Sequence, residues 1–224
     1  MLLTIPKVIP EPQLQRVRAL LARGSFRDGK LSAGQEAQRV KQNEEMVQEA
    51  ELYSALNNIV MGCLVRHPTY QKAVLPRRIA APYYARYGAG MQYGDHIDDP
   101  VMGPAGEQYR SDVSTTIFLS DAADYDGGEL VICSSYGEQS VKLASGDAVL
   151  YPSSSLHHIN AVTRGERLVA VTWAQSMVRD PGQRELLYQL WQAREKMLAE
   201  RPEAPETAWV GNSYANLVRM WADV

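Results

Sequence analysis

The chain has 224 residues, 45% of them hydrophobic and 22% charged, with a net charge of −3. That length buries a sizeable core in one domain with room for a small appendage, and the mild acidity, with no basic run beyond Arg77-Arg78, speaks against nucleic acid as a partner. Two cysteines, Cys63 and Cys133, with no CxxC, argue against a disulfide framework and suit a reducing compartment; no apolar run reaches the roughly 18 residues that span a bilayer, and Met1 to Pro6 lacks the basic start and long apolar stretch of a secretory signal, so a cytoplasmic protein without membrane contact is expected.

The first third predicts helices. Leu14, Val17, Leu20 and Leu21 recur at helical spacing behind Pro10 and Pro12, and Gly24 suits a stop. Residues 25–34, with Gly29 and Gly34, predict a loop. A long helix is expected from about Gln35 to Arg66, with Val40, Val47, Ala55, Ile59 and Cys63 as core contacts and Pro68 as its end. Residues 1–79 would thus form a helical buttress.

From residue 80 to 178 the pattern changes to short β-rich runs: Tyr83–Tyr87, Ser114–Leu119, Glu129–Cys133, Ser140–Lys142, Ala148–Tyr151, Leu156–Asn160 and Arg167–Gln175. Turn signals separate them, among them Gly88-Ala89-Gly90, Asp126-Gly127-Gly128, Gly146-Asp147 and Arg164-Gly165. Many short strands at this spacing predict a sandwich or barrel such as a jelly roll, hence a mainly β core with flanking helices. Residues 179–224 return to helix. Leu186, Leu187, Leu190, Trp191, Arg194 and Leu198 mark an amphipathic helix from about Pro181 to Glu200, and the tail from Trp209 holds one more; its apolar surface fits a homo-oligomer.

The chemistry concentrates in two places. Tyr93-Gly94-Asp95-His96-Ile97-Asp98 contains a His-x-Asp, and Leu156-His157-His158 follows later; three of the four histidines lie in these segments. In a strand, positions i and i+2 share a face, so His96 and Asp98 could present an imidazole and a carboxylate to one point. Two His and one carboxylate hold non-haem Fe(II) on one side and leave open positions. His-x-Asp also occurs in plain polar turns, and of His157 and His158 only one can face a barrel interior. His67, before Pro68, is read as a capping or surface residue. Arg167 stands ten residues after His157 and opens the apolar strand Arg167 to Trp173. An unpaired buried cation is costly; a dicarboxylate co-substrate would pair it, and a salt bridge to Glu166 or another surface acid is the plainer reading. Arg164, at the turn tip, is expected to meet only solvent.

His-x-Asp, then His, then Arg ten residues on, carried on short strands, resembles the Fe(II)/2-oxoglutarate dioxygenases. More closely, the chain is similar to the bacterial PKHD-type hydroxylases, relatives of the prolyl 4-hydroxylases often found near iron-siderophore uptake genes. The likeness extends through Arg86 to Asp99, Tyr109-Arg110-Ser111-Asp112-Val113-Ser114, Phe118-Leu119-Ser120-Asp121, Asp124 to Leu130, Tyr151 to His157 and Gln175 to Asp180. The resemblance implies a double-stranded β-helix (jelly-roll) core that hydroxylates an unactivated C–H bond with Fe(II), 2-oxoglutarate and O₂. It implies His96, Asp98 and His157 as metal ligands, selecting His157 over His158, and Arg167 as the anchor for 2-oxoglutarate. His158 stands where relatives often carry arginine. Tyr87 corresponds to a tyrosine lining the co-substrate pocket, with core packing as its alternative. L-ascorbate as reductant, a small-molecule or peptidyl substrate and a link to iron uptake or homeostasis follow from the same likeness. The competing readings are a metal-binding jelly roll that is no oxygenase, such as a cupin-like sensor or zinc hydrolase, and a regulatory protein that senses iron and 2-oxoglutarate.

Overall fold

A computed structural model describes residues 1–224. The N-terminal part contains β1 (Leu3–Ile5), α1 (Glu11–Leu21), β2 (Phe26–Asp28), β3 (Lys41–Gln42), β4 (Glu44–Met46), α2 (Ala50–Leu64), α3 (Pro68–Val74) and β5 (Pro76–Ile79). The middle contains β6 (Tyr83–Tyr87), β7 (Gln92–His96), β8 (Val101–Met102), β9 (Tyr109–Arg110), β10 (Val113–Phe118), β11 (Tyr125–Gly127), β12 (Leu130–Ser134), β13 (Gly137–Val141), β14 (Ala148–Pro152), β15 (His157–Ile159), β16 (Val162–Gly165) and β17 (Arg167–Ser176). Two helices, α4 (Pro181–Glu200) and α5 (Pro205–Trp221), complete the chain. None of the helices is long and apolar enough to cross a membrane.

Two sheets stack as a jelly roll. The larger has the order β1-β14-β10-β17-β6-β4-β2, with β5 paired to β17, and the smaller runs β13-β12-β15-β7-β3. Strand alternation sorts the side chains. On β10, Val113 and Ile117 join the helix-side core with Leu14, Val17, Leu56 and Val60, while Phe118 joins the inter-sheet core with Leu130, Ile132 and Tyr151. All six residues of β10 are buried because helices cover one face and the second sheet the other. On β17 the same alternation sends Leu168, Ala170 and Ala174 toward the helices and Val169 toward the second sheet.

The expected helix from Gln35 to Arg66 begins only at Ala50. Lys41–Gln42 pair with β7 and Glu44–Glu45 with β6, so strand pairing overrides the helix propensity of this Gln- and Glu-rich stretch. The fully buried positions of α2 are Leu56, Val60 and Leu64; of the expected contacts, Ile59 and Cys63 pack partly buried against the same core, and Val40 is exposed. The segment read as a loop contributes β2, an edge strand. Pro68 does not merely end a helix: it opens α3, where its missing N–H is not needed.

The C-terminal helices form as expected. The Asp180 side chain caps α4 by accepting the Gln183 N–H at 2.7 Å. Arg184, Leu187 and Tyr188 are the buried residues of α4, whereas Leu186 points outward. Arg184 donates to the carbonyls of Val178 and Arg179 at 2.7 and 2.8 Å and to that of Asp112 at 3.3 Å. Asp112 in turn is gripped by Arg110 at 2.6 and 2.9 Å and accepts the Ser176 N–H at 2.8 Å. This network bolts α4 onto the ends of β10 and β17.

Candidate active site

His96 ends β7 and His157 opens β15, and the two are direct partners in the antiparallel ladder. Their ring centroids lie 4.2 Å apart. The His96 Nδ1 is 2.8 Å from the Gly94 carbonyl and the His157 Nδ1 is 2.9 Å from that of Ser155. A carbonyl only accepts, so both Nδ1 atoms carry the proton and both Nε2 atoms keep a free lone pair. Such a bond to the far nitrogen sets the tautomer that metal-ligating histidines use. Tyr93 stacks on His96 at 3.6 Å, and Tyr151 meets His157 edge-on at 5.0 Å, so neither ring is free to turn.

Asp98 does not share a strand with His96, as the i, i+2 expectation had it, because β7 stops at His96. It reaches the histidines from the following loop, with its Oδ1 3.9 Å from His157 Nε2. Its other oxygen accepts a hydrogen bond from the Ser114 hydroxyl, which lies 2.8 Å from Ser153 Oγ. Potential ligand atoms of His96, Asp98 and His157 all fall within 4.8 Å of one another. Burial, and then the neighbouring His157, push the His96 imidazole down to about 4, so at neutral pH the ring is neutral. The sequence patterns do not single out Ser114 or Ser153; the polar run Ser114-Thr115-Thr116 inside a wholly buried strand is the available signal.

Arg167 is 1% exposed at the start of β17, and its Nε and Nη2 have no hydrogen-bond partner. Its guanidinium lies 5.0 Å from the ring of its ladder partner Tyr87 and 5.6 Å from that of Phe118. The plainer reading, a bridge to Glu166, fails: Glu166 turns to Arg86 at 3.7 Å. Gly128, at φ +67°, makes the room, since a Cβ there would come within 3.1 Å of Arg167 Cδ. Tyr87 belongs to the inter-sheet core and also lines the cavity; burial pushes its phenol up to about 12 against the lowering pull of Arg167. Arg164, expected in solvent alone, pairs with Asp126 at 2.7 and 3.1 Å.

One cavity of about 640 Å³ joins these groups: His96, Asp98, His157, Arg167 and Tyr87 all line it. Two carboxylate-seeking N–H groups with no partner, beside three neutral or anionic ligands for a cation, fit an Fe(II) ion and a dicarboxylate together. One part of the lining is aromatic. Tyr83 and Trp173 meet edge-on at 5.8 Å, Tyr109 and Met102 stand nearby, and the Trp173 Nε1 is buried without a partner. Tyr93 lines the cavity, while Met91 packs against the inter-sheet core and accepts the Gly88 N–H. Lys41 and Glu45, paired at 2.6 Å, form a further polar wall that the sequence reading lost inside the expected helix. His158 points to the opposite face, 2.8 Å from Asp95, and His67 precedes α3 without capping it through its side chain.

Comparison with known proteins agrees with this geometry. Residues 82–175 match the 2OG-Fe(II) oxygenase superfamily and residues 181–223 the PKHD-type hydroxylase C-terminal domain. A PKHD-type hydroxylase of Thioalkalivibrio sulfidiphilus is 54% identical over 224 residues, and one of Gloeothece citriformis 42% identical over 223, each covering 100% of both chains. A Pseudomonas putida prolyl-4-hydroxylase shares the fold at TM-score 0.55 and 16% identity, covering 78% of this chain and 92% of its own. A prolyl hydroxylase from Trichoplax adhaerens does so at TM-score 0.56 and 18% identity, covering 83% and 86%. With full-length relatives of this identity and both family segments in place, the chain belongs to the PKHD-type hydroxylases, enzymes of the 2OG-Fe(II) oxygenase superfamily.

Proposed function

We propose that His96, Asp98 and His157 hold the Fe(II) and that Arg167 receives the distal carboxylate of 2-oxoglutarate, with Tyr87 walling that pocket. The observation that carries this reading is the buried Arg167, two of whose nitrogens lack partners, in the same cavity as the two Nε2 lone pairs and the Asp98 carboxylate. Bound Fe(II) and 2-oxoglutarate supply the power to use O₂ and insert one oxygen into an unactivated C–H bond. The protein's own part is positional. The Gly94 and Ser155 carbonyls fix the two imidazoles, Ser114 orients the Asp98 carboxylate, and the Arg167 fork takes a carboxylate in a bidentate grip. Tyr83, Tyr109 and Trp173 hold the substrate at the mouth and keep bulk water from the reacting bond. That mouth suits a small molecule or one side chain of a peptide. L-ascorbate as reductant follows only from the sequence's resemblance to the prolyl 4-hydroxylases, and the two free cysteines fit the cytoplasm.

Anaerobic addition of Fe(II) and 2-oxoglutarate should give a weak visible charge-transfer band that His96→Ala abolishes. In air, 2-oxoglutarate should turn over to succinate, and mass spectrometry of a cell extract treated with the loaded enzyme should find a species heavier by one oxygen. If no O₂-dependent succinate forms, even uncoupled from substrate, the chain would instead be a sensor or hydrolase built on the same metal site.

A further inference from the structure

The strands that carry the triad hold a second set of metal-type side chains on their other face. Alternation along β7 and β15 turns Asp95 and His158, the immediate neighbours of His96 and His157, away from the cavity. There they meet Cys133 of β12, the next strand in the sheet. Potential ligand atoms of Asp95, Cys133 and His158 all lie within 4.8 Å of one another. Glu138, the ladder partner of Cys133 on β13, places a carboxylate oxygen 3.9 Å from its sulfur. An exposed His158–Asp95 pair contributes little stability by itself, and such a pair gives no reason for a thiol beside it. The chain has four histidines and two cysteines in all, and one of each meets here on rigid strands.

We propose that Asp95, Cys133 and His158 form a second cation site on the outer face of the smaller sheet, with Glu138 at its rim as a further oxygen donor. One sulfur, one imidazole nitrogen and carboxylate oxygens match a borderline-soft divalent ion of the Zn²⁺ class. Binding releases the Cys133 thiol proton to solvent, and the thiolate and carboxylates neutralise the ion's charge. Such an ion would tie β7, β15 and β12 together directly behind the triad. It does not depend on what the inner site binds.

Cobalt(II) is the probe, because only a sulfur ligand gives a thiolate-to-cobalt charge-transfer band in the near ultraviolet and the inner triad has none. Added anaerobically to the full-length protein already loaded with Fe(II) and 2-oxoglutarate, it should raise that band to saturation at one equivalent. The band should vanish in Cys133→Ser, weaken at least about tenfold in affinity in Asp95→Asn and in His158→Gln, and persist in His96→Ala. Two results would overturn the site: no sulfur band at stoichiometric cobalt, or a band whose affinity in Asp95→Asn and His158→Gln equals that of the unaltered protein, which would mark a surface thiol binding alone.

Discussion

His96 and His157 face each other across one rung of the β7–β15 ladder, and each gives its Nδ1 proton to the carbonyl two residues before it, Gly94 and Ser155. The same local bond, repeated on two strands, aims both Nε2 atoms at one point before any ion arrives. Asp98 completes the point from a loop, held by a serine of the opposite sheet. The site is therefore preorganised by backbone carbonyls on one sheet and a hydroxyl on the other.

The hydroxyl is testable. Ser114→Ala removes the hydrogen bond to Asp98 Oδ2 while keeping a small side chain in a buried strand. Loss of such an outer partner weakens metal binding by roughly 10–100-fold. Competition with a chelator reads the change, and wild-type affinity in the variant would show that Asp98 needs no help from the second sheet.

Arg167 separates co-substrate binding from stability. In the apoprotein two of its nitrogens have no partner, so Arg167→Met should leave the apoprotein as stable as wild type or more so. The 2-oxoglutarate-dependent rise in thermal midpoint of the metal-loaded protein should disappear, at a cost of about 2–5 kcal/mol in binding. Arg167→Lys should recover only part, since an ammonium lacks the planar fork. Undiminished 2-oxoglutarate binding by the Met variant would remove Arg167 from the anchor role.

Acid should loosen the apoprotein through His96. Its folded-state value is pushed down to about 4, from an ordinary value of 6.5, by burial first and by His157 second. Between those values the unfolded chain binds the proton and the folded chain does not. Stability thus falls as pH drops from 6.5 toward about 4 and is unaffected by this group above 6.5. The contribution is at most about 1.4 kcal/mol per pH unit. Urea unfolding of apoprotein at a series of pH values should show a shallower slope for His96→Gln than for wild type, and equal slopes would contradict the assignment.

The C-terminal helices depend on Asp112. Its carboxylate is held by Arg110 and accepts the Ser176 N–H, and its carbonyl takes the buried Arg184. Asp112→Ala should cost about 1–3 kcal/mol, because it leaves the buried Ser176 N–H without its acceptor. A lowered denaturation midpoint would report this; a change below about 0.5 kcal/mol would mean that the position behaves as a surface one.

The central strands, the C-terminal helices, the His-x-Asp, the Ser-Leu-His and the strand-opening Arg167 are written in local pattern. Period-two alternation, glycine turns and helical spacing need only near neighbours, and the family motifs follow that order. What lay beyond the sequence was every pairing between distant segments. Residues 35–49 carry helix-favouring side chains, yet edge pairing with β6 and β7 makes strands of part of them and brings Lys41 and Glu45 into the cavity. The Ser114 bond to Asp98, the Arg164 pair with Asp126 and the meeting of Asp95, Cys133 and His158 likewise join residues far apart in the chain. The sequence by itself determined which residues are candidates for the chemistry, because ligand type and strand period are local properties. Only the tertiary structure decided who holds those residues in place, because ladder register is set by contacts that local propensity does not contain.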